Sequence, residues 1–136
     1  MSIKLNPYLN FSGNTREAME FYKSVLGGEL TLSTFGEYPE MEVSENYKDK
    51  IMHAQLESGD IRLMASESMP GGEVHPGDNF SLSLVGDDEA ELTRIFGALA
   101  KGGQVTMPLE KQMWGDVFGM VQDKFGMSWM VNISQG

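Results

Sequence analysis

Apolar residues recur along the chain with two alternating periods, and the switches between them mark out the elements. Ala18, Phe21, Tyr22, Val25 and Leu26 return at three- and four-residue steps, which predicts a helix over residues 14–26 with one apolar stripe. Asn14 and Glu17 stand at capping-box spacing, and Gly27-Gly28 supplies residues suited to a left-handed stop. Leu92, Ile95, Phe96 and Leu99 repeat the stripe and predict a second helix over residues 88–101, acidic in its first turn and followed by Gly102-Gly103. Elsewhere the period falls to two. Strands are predicted over residues 3–11 before the first helix and 80–85 before the second. Three more follow each helix, over 29–35, 51–57 and 61–66, then 104–107, 117–122 and 128–133.

The order is therefore β-α-β-β-β, twice, and the fold class is α+β. Short turns, Ser58-Gly59-Asp60 and Asp123-Lys124-Phe125-Gly126, close the last hairpin of each half. The Pro/Gly-rich segment over residues 69–77 reads as a linker between repeats of about 1–68 and 79–136. One repeat alone would leave a sheet face bare, so the expectation is a single domain in which the halves share one core.

Charge and composition narrow the function. Ten Lys and Arg stand against twenty Asp and Glu, a formal charge of −10, and no basic patch is segregated to attract nucleic acid. No apolar run is long enough for a membrane helix, and the first residues lack the pattern of a secretory signal. The chain has no cysteine, which excludes disulfides, thiolate zinc and a cysteine nucleophile and is compatible with a cytoplasmic location. No phosphate loop or Ser/His/Asp arrangement can be assembled.

Particular residues carry a family likeness. Pro7-Tyr8-Leu9-Asn10-Phe11, Phe21-Tyr22 followed by Leu26-Gly27-Gly28, Met52-His53-Ala54, Leu63-Met64-Ala65-Ser66 and the closing run from Trp114 to Trp129 resemble the PhnB-like branch of the glyoxalase/bleomycin-resistance, or vicinal oxygen chelate, superfamily. The resemblance implies two β-α-β-β-β repeats forming curved sheets around a cavity, commonly in a homodimer. Members of the branch often carry the label 3-demethylubiquinone 3-methyltransferase-like. This chain lacks the Gly-rich strand-to-helix turn with which a methyltransferase holds S-adenosylmethionine, so no cofactor is expected.

Metal-dependent members of the superfamily place His, Glu or Gln at four positions, on the first and fourth strands of each half, around a divalent ion. Carried over one at a time, those positions fall on Pro7 or Tyr8, on Leu63 or Met64, on Asn79 and on Met130. A hard divalent ion needs carboxylate or imidazole donors at about 2 Å to replace its water shell, and thioethers bind such ions poorly. The expectation is that no catalytic metal is bound.

Strand alternation directs Ile51, His53 and Gln55 to the cavity, and His53 is the candidate general base or hydrogen-bond donor. The competing reading is a histidine satisfied by Gln55 or a backbone carbonyl. Tyr8, Met64, Asn79, Ser81, Phe118, Met120 and Met130, with Trp114 at the rim, would line a soft, mostly apolar ligand pocket, or would simply pack together. Residues 36–50 form a lid, a subunit contact or a surface loop. The leading expectation is a metal-independent small-molecule-binding protein. Its rivals are a metal-dependent glyoxalase- or dioxygenase-like enzyme that holds its ion through non-standard ligands such as His53 with Glu67 or Asp116, and a drug-sequestering binder of the bleomycin-resistance type.

Overall fold

A computed structural model describes residues 3–69 and 72–135 and divides the chain into two compact units, Met1–His75 and Pro76–Gly136. In the first unit, β1 (Tyr8–Phe11), α1 (Thr15–Leu26), β2 (Glu29–Thr34), β3 (Ile51–Ser58) and β4 (Ile61–Glu67) build an open sheet of order β1-β4-β3-β2. The second repeats it with β5 (Leu82–Gly86), α2 (Glu89–Ala100), β6 (Gln104–Lys111), β7 (Val117–Gln122) and β8 (Ser128–Ile133), ordered β5-β8-β7-β6. In each sheet the first strand runs parallel to the fourth, and the other pairs are antiparallel. The predicted α+β class and repeat order are thus found.

Alternation along the strands places each core. In the first unit Leu9, Ala65 and Ala54 stand side by side on β1, β4 and β3 and are buried, as are Ala18, Met19, Tyr22 and Val25 of α1. In the second, Trp129, Val131, Ile133 and Val121 are buried with Leu92, Ile95, Phe96 and Leu99 of α2. The same close approach recurs in both halves. A Cβ on Gly28 would overlap the carbonyl oxygen of Glu57, and one on Gly103 would overlap that of Gln122. This explains why each helix is followed by a pair of glycines: the chain must turn tightly against the third strand of its own sheet.

Several expectations are corrected. The first strand begins at Tyr8 and not at residue 3, and Ile3 and Leu5 are 98% and 99% exposed. Phe80, the first residue of the strand predicted over 80–85, lies ahead of β5 and is 53% exposed. Hydrophobic alternation continues into these segments, but no strand pairing extends there to hold them in register. Ile51, expected on the open face, is buried, because a bulge leaves Met52 between the pairs Thr34–Ile51 and Ser33–His53 and shifts the alternation. The Asn14–Glu17 capping box does not form, since the Asn14 side chain makes no cap bond. The carboxylate of Glu67, 6% exposed, instead accepts from the Gly13 amide and from the Thr15 hydroxyl at 2.8 Å. At α2 the Asp88 side chain does cap, accepting from the Glu91 amide at 3.2 Å.

The 36–50 segment is an ordered excursion from the β2–β3 hairpin. It contains short 3-10 turns at Pro39–Met41 and Glu45–Tyr47, and it closes through Phe35 N–H to Lys50 C=O at 3.1 Å and Gly36 N–H to Lys48 C=O at 2.9 Å. Tyr47 packs its ring against buried Phe35, with centroids 5.3 Å apart, and donates its hydroxyl to the Ser68 carbonyl. Burial, and then the negative charge of Glu67, hold the Tyr47 phenol above its ordinary pKa. Of the linker over residues 69–77, Pro70 and Gly71 lie outside the described residues, and His75 is exposed beside Glu73.

Candidate functional site

Each sheet has one face covered by its helix and one free of it, and the polar and soft residues collect on the free face. On the first sheet the pairing places Tyr8 beside Met64, Met64 beside Gln55 and Gln55 beside Thr31, with Asn10 and Ser66 adjacent on the next row. The Tyr8 hydroxyl lies 3.3 Å from His53 Nδ1, with the rings tilted at 41° and their centroids 5.9 Å apart. Ser66 Oγ donates to Asn10 Oδ1 at 3.3 Å. The imidazole is therefore partnered by Tyr8. Gln55, the partner considered from sequence, donates instead to Glu57 at 2.7 Å.

On the second sheet the corresponding rows run Met107, Met120, Met130, Ser83 and Glu110, Phe118, Asn132, Val85. Trp114, 59% exposed in the β6–β7 turn, stands edge-on to Phe118 with ring centroids 5.8 Å apart. Met120, Met130 and Phe118 thus share the face the sequence assigned to them. Asn79 and Ser81 precede β5, and the residue that pairs with Met130 is Ser83, which alternation from the sequence also turns inward, and not Asn79, on which the carried-over metal position falls.

Asn132 was missed by the sequence reading. Its amide donates to Asp116 Oδ2 at 3.0 Å, while Asp116 Oδ1 accepts from the Gln135 amide at 3.1 Å. These bonds, the Asn132 amide first, hold the Asp116 carboxyl below its ordinary pKa. With its nitrogen committed, Asn132 keeps its carbonyl oxygen for a further donor. Beneath the same strands the buried carboxylate of Asp123 accepts from the amides of Phe125 and Met127 at 2.8 and 3.1 Å and from the Trp129 indole at 2.8 Å.

The donors on these faces do not fit the divalent metal of the superfamily. Leu63 is a core residue, Pro7 and Asn79 lie outside strands, and the pairs Tyr8–Met64 and Ser83–Met130 offer a phenol, a hydroxyl and two thioethers. Among the described residues no group of three or more His, Asp and Glu is placed to share an ion. Glu67 cannot join His53, because its carboxylate turns to α1 on the opposite side of the sheet. S-adenosylmethionine fits no better. The start of α1 is filled by the Glu67 carboxylate, and neither β1 nor β5, though parallel to its neighbour, leads into its helix through a Gly-rich turn that would cradle it.

Paired β-α-β-β-β units of this kind define the glyoxalase/bleomycin-resistance class of folds. The FosX fosfomycin resistance protein from Mesorhizobium loti shares the fold at 11% identity with a TM-score of 0.61, covering 99% of this chain and 95% of its own. Within that class the chain belongs to the PhnB-like family described as 3-demethylubiquinone-9 3-methyltransferase, whose model matches residues 3–132. It is 35% identical to Protein YjdN of Escherichia coli K12 over 95% of this chain and 94% of that protein. The crystal structure of protein PA1353 from Pseudomonas aeruginosa is similar at 46% identity and a TM-score of 0.88, covering 99% of this chain and all of that one. The PhnB protein from Bacillus cereus follows at 25% identity and a TM-score of 0.78, over 97% and 100% of the two chains. No helix among the described residues is long and apolar enough to cross a membrane.

Proposed function

We propose that this chain is a cytoplasmic, metal-independent small-molecule-binding protein that receives its ligand on the helix-free sheet faces. The observation that carries this reading is the Tyr8–His53 pair, set 3.3 Å apart on a face whose neighbours are Met64, Asn10 and Ser66. Tyr8 fixes the imidazole through Nδ1 and leaves Nε2 to meet a ligand oxygen or proton. Asn132, held by Asp116, is the polar fixture of the second face, and Phe118, Met120 and Met130 supply its apolar contact. Asn79 and Ser81 stay in the proposal as flanking contacts ahead of β5.

Ile3, Leu5 and Met113, each 98–99% exposed, support a homodimer that would cover them. Light scattering reports that state directly. The Trp114–Phe118 edge favours a second reading, stoichiometric sequestration of an aromatic drug without turnover. The experiment that tests binding is native mass spectrometry of protein purified from its own host. A bound small molecule, lost on denaturation and absent from Tyr8→Phe and His53→Ala, supports the reading. Bare protein that is also silent in Trp114 emission toward planar antibiotics and other aromatic compounds overturns it.

A further inference from the structure

We infer that the ligand of these faces is an uncharged or cationic planar ring system and that anionic ligands are rejected. The inference rests on the binding reading above and deepens it. It comes from the charges that the strand pairing puts on each helix-free row. Among the described residues, the strands carry Glu29, Glu57 and Glu110 on these rows against Arg62 alone. Arg62 is already spent, since its guanidinium lies 2.7 Å from Glu57 at the β3–β4 end of the sheet.

Lys4 lines a recess at that same end with Asn6, Glu57, Asp60 and Arg62, where two carboxylates offset two positive groups. Lys111 pairs with Val117, and Val117 with the buried Ile133, so it sits on the helix-side row. The remaining fixtures, Tyr8, Asn10, Gln55, Ser66, Ser83 and Asn132, are neutral, and the imidazole on these rows, His53, is held through Nδ1 by the Tyr8 hydroxyl and offers a ligand only Nε2.

A carboxylate, phosphonate or sulfonate brought onto such a face would lose hydration without meeting an unpaired guanidinium or ammonium group. The chain's formal charge of −10 adds repulsion at longer range. A neutral or cationic ring meets the opposite situation. The thioethers of Met107, Met120 and Met130 stand in consecutive register across three strands and give a polarisable wall. Trp114 and Phe118 add ring faces that attract cations and edges that suit the face of a neutral ring. The carbonyl oxygen of Asn132, its nitrogen held by Asp116, asks for a ligand N–H or O–H.

Three acridines of similar shape separate the outcomes: 9-aminoacridine as the cation, acridone as the neutral ring and acridine-9-carboxylate as the anion. Each is measured by equilibrium dialysis against the full chain at low and high salt. The expected result is that the cation and the neutral ring are both retained about tenfold or more better than the carboxylate. Glu110→Lys should raise retention of the carboxylate, and added salt should narrow the gap between cation and anion. Carboxylate bound as well as either partner overturns the inference alone and leaves small-molecule binding standing. If none of the three is retained, the inference and the binding reading fall together.

Discussion

The indole nitrogen of Trp129 donates to the carboxylate of Asp123 at 2.8 Å, and both residues are almost fully buried. The same carboxylate closes the β7–β8 turn through the amides of Phe125 and Met127, so one side chain links the hairpin's turn to its core. Asp123→Ala strands three donors, two of them backbone. A loss of about 3 kcal/mol is expected, since each unsatisfied buried donor costs about 1–3 kcal/mol and part of the site can admit water. Asp123→Asn keeps an acceptor for the backbone and should lose less. Urea denaturation of both variants measures the difference, and equal stability of Asp123→Ala with the parent would remove this role.

Glu67 performs the corresponding task in the first half from the far end of β4, holding the start of α1 through Gly13 and Thr15. Glu67→Ala should cost about 2 kcal/mol or more, and Thr15→Val about 1 kcal/mol, because hydrogen bonds to charged groups contribute about 1.5–3 kcal/mol and Thr15→Val also leaves one partner in place. The double variant should cost less than the sum of the singles, as residues in one network are coupled. A strictly additive pair in thermal melts would argue against the contact.

Asp116 gives the acid-side behaviour. Its carboxyl is held below the ordinary range by Asn132 and the Gln135 amide, so the folded state binds that proton less readily than the unfolded chain. The resulting stabilisation is present above the unfolded carboxyl pKa and disappears as pH falls through the lower, folded value. Asp116→Asn should flatten the fall in melting temperature between about pH 5 and pH 2 relative to the parent. An unchanged slope would remove Asp116 from that account.

The two tryptophans should be optically distinct. Trp129 is 1% exposed and Trp114 is 59% exposed. Acrylamide should quench Trp114 strongly, and a Trp114→Phe chain should retain a protected emission from Trp129 alone. If Trp114→Phe leaves quenching unaltered, ligand-induced changes cannot be assigned to Trp114.

Much of the fold was legible because each helix and hairpin announces itself within about a dozen residues. The stripe Leu92, Ile95, Phe96, Leu99 is the buried face of α2 as read, and the glycine pairs do follow both helices, with Gly27 the C-cap of α1 and Lys101 that of α2 ahead of Gly102. What escaped depends on partners distant in sequence. Glu67 reaches the α1 terminus from 52 residues beyond Thr15, so the local Asn14–Glu17 spacing was a false lead. The bulge at Met52 exists only in the pairing with β2, and no local alternation reveals that Ile51 turns inward. Of the candidate residues, Tyr8, Met64, Phe118, Met120 and Met130 lie on helix-free rows as the sequence reading had them, although counting along the chain left Pro7 and Leu63 open beside Tyr8 and Met64. The pairing of Ser83, and not Asn79, with Met130 needed the true start of β5, and Asn132 needed the Asp116 bond.

The central claim is that ligand binding here proceeds without a divalent ion. Elemental analysis of protein purified from its own host, without chelators, tests it most directly. The account predicts zinc, nickel, manganese and iron each well below one equivalent per chain. A full equivalent of any of them, retained through dialysis and lost in His53→Ala or Tyr8→Phe, would contradict it.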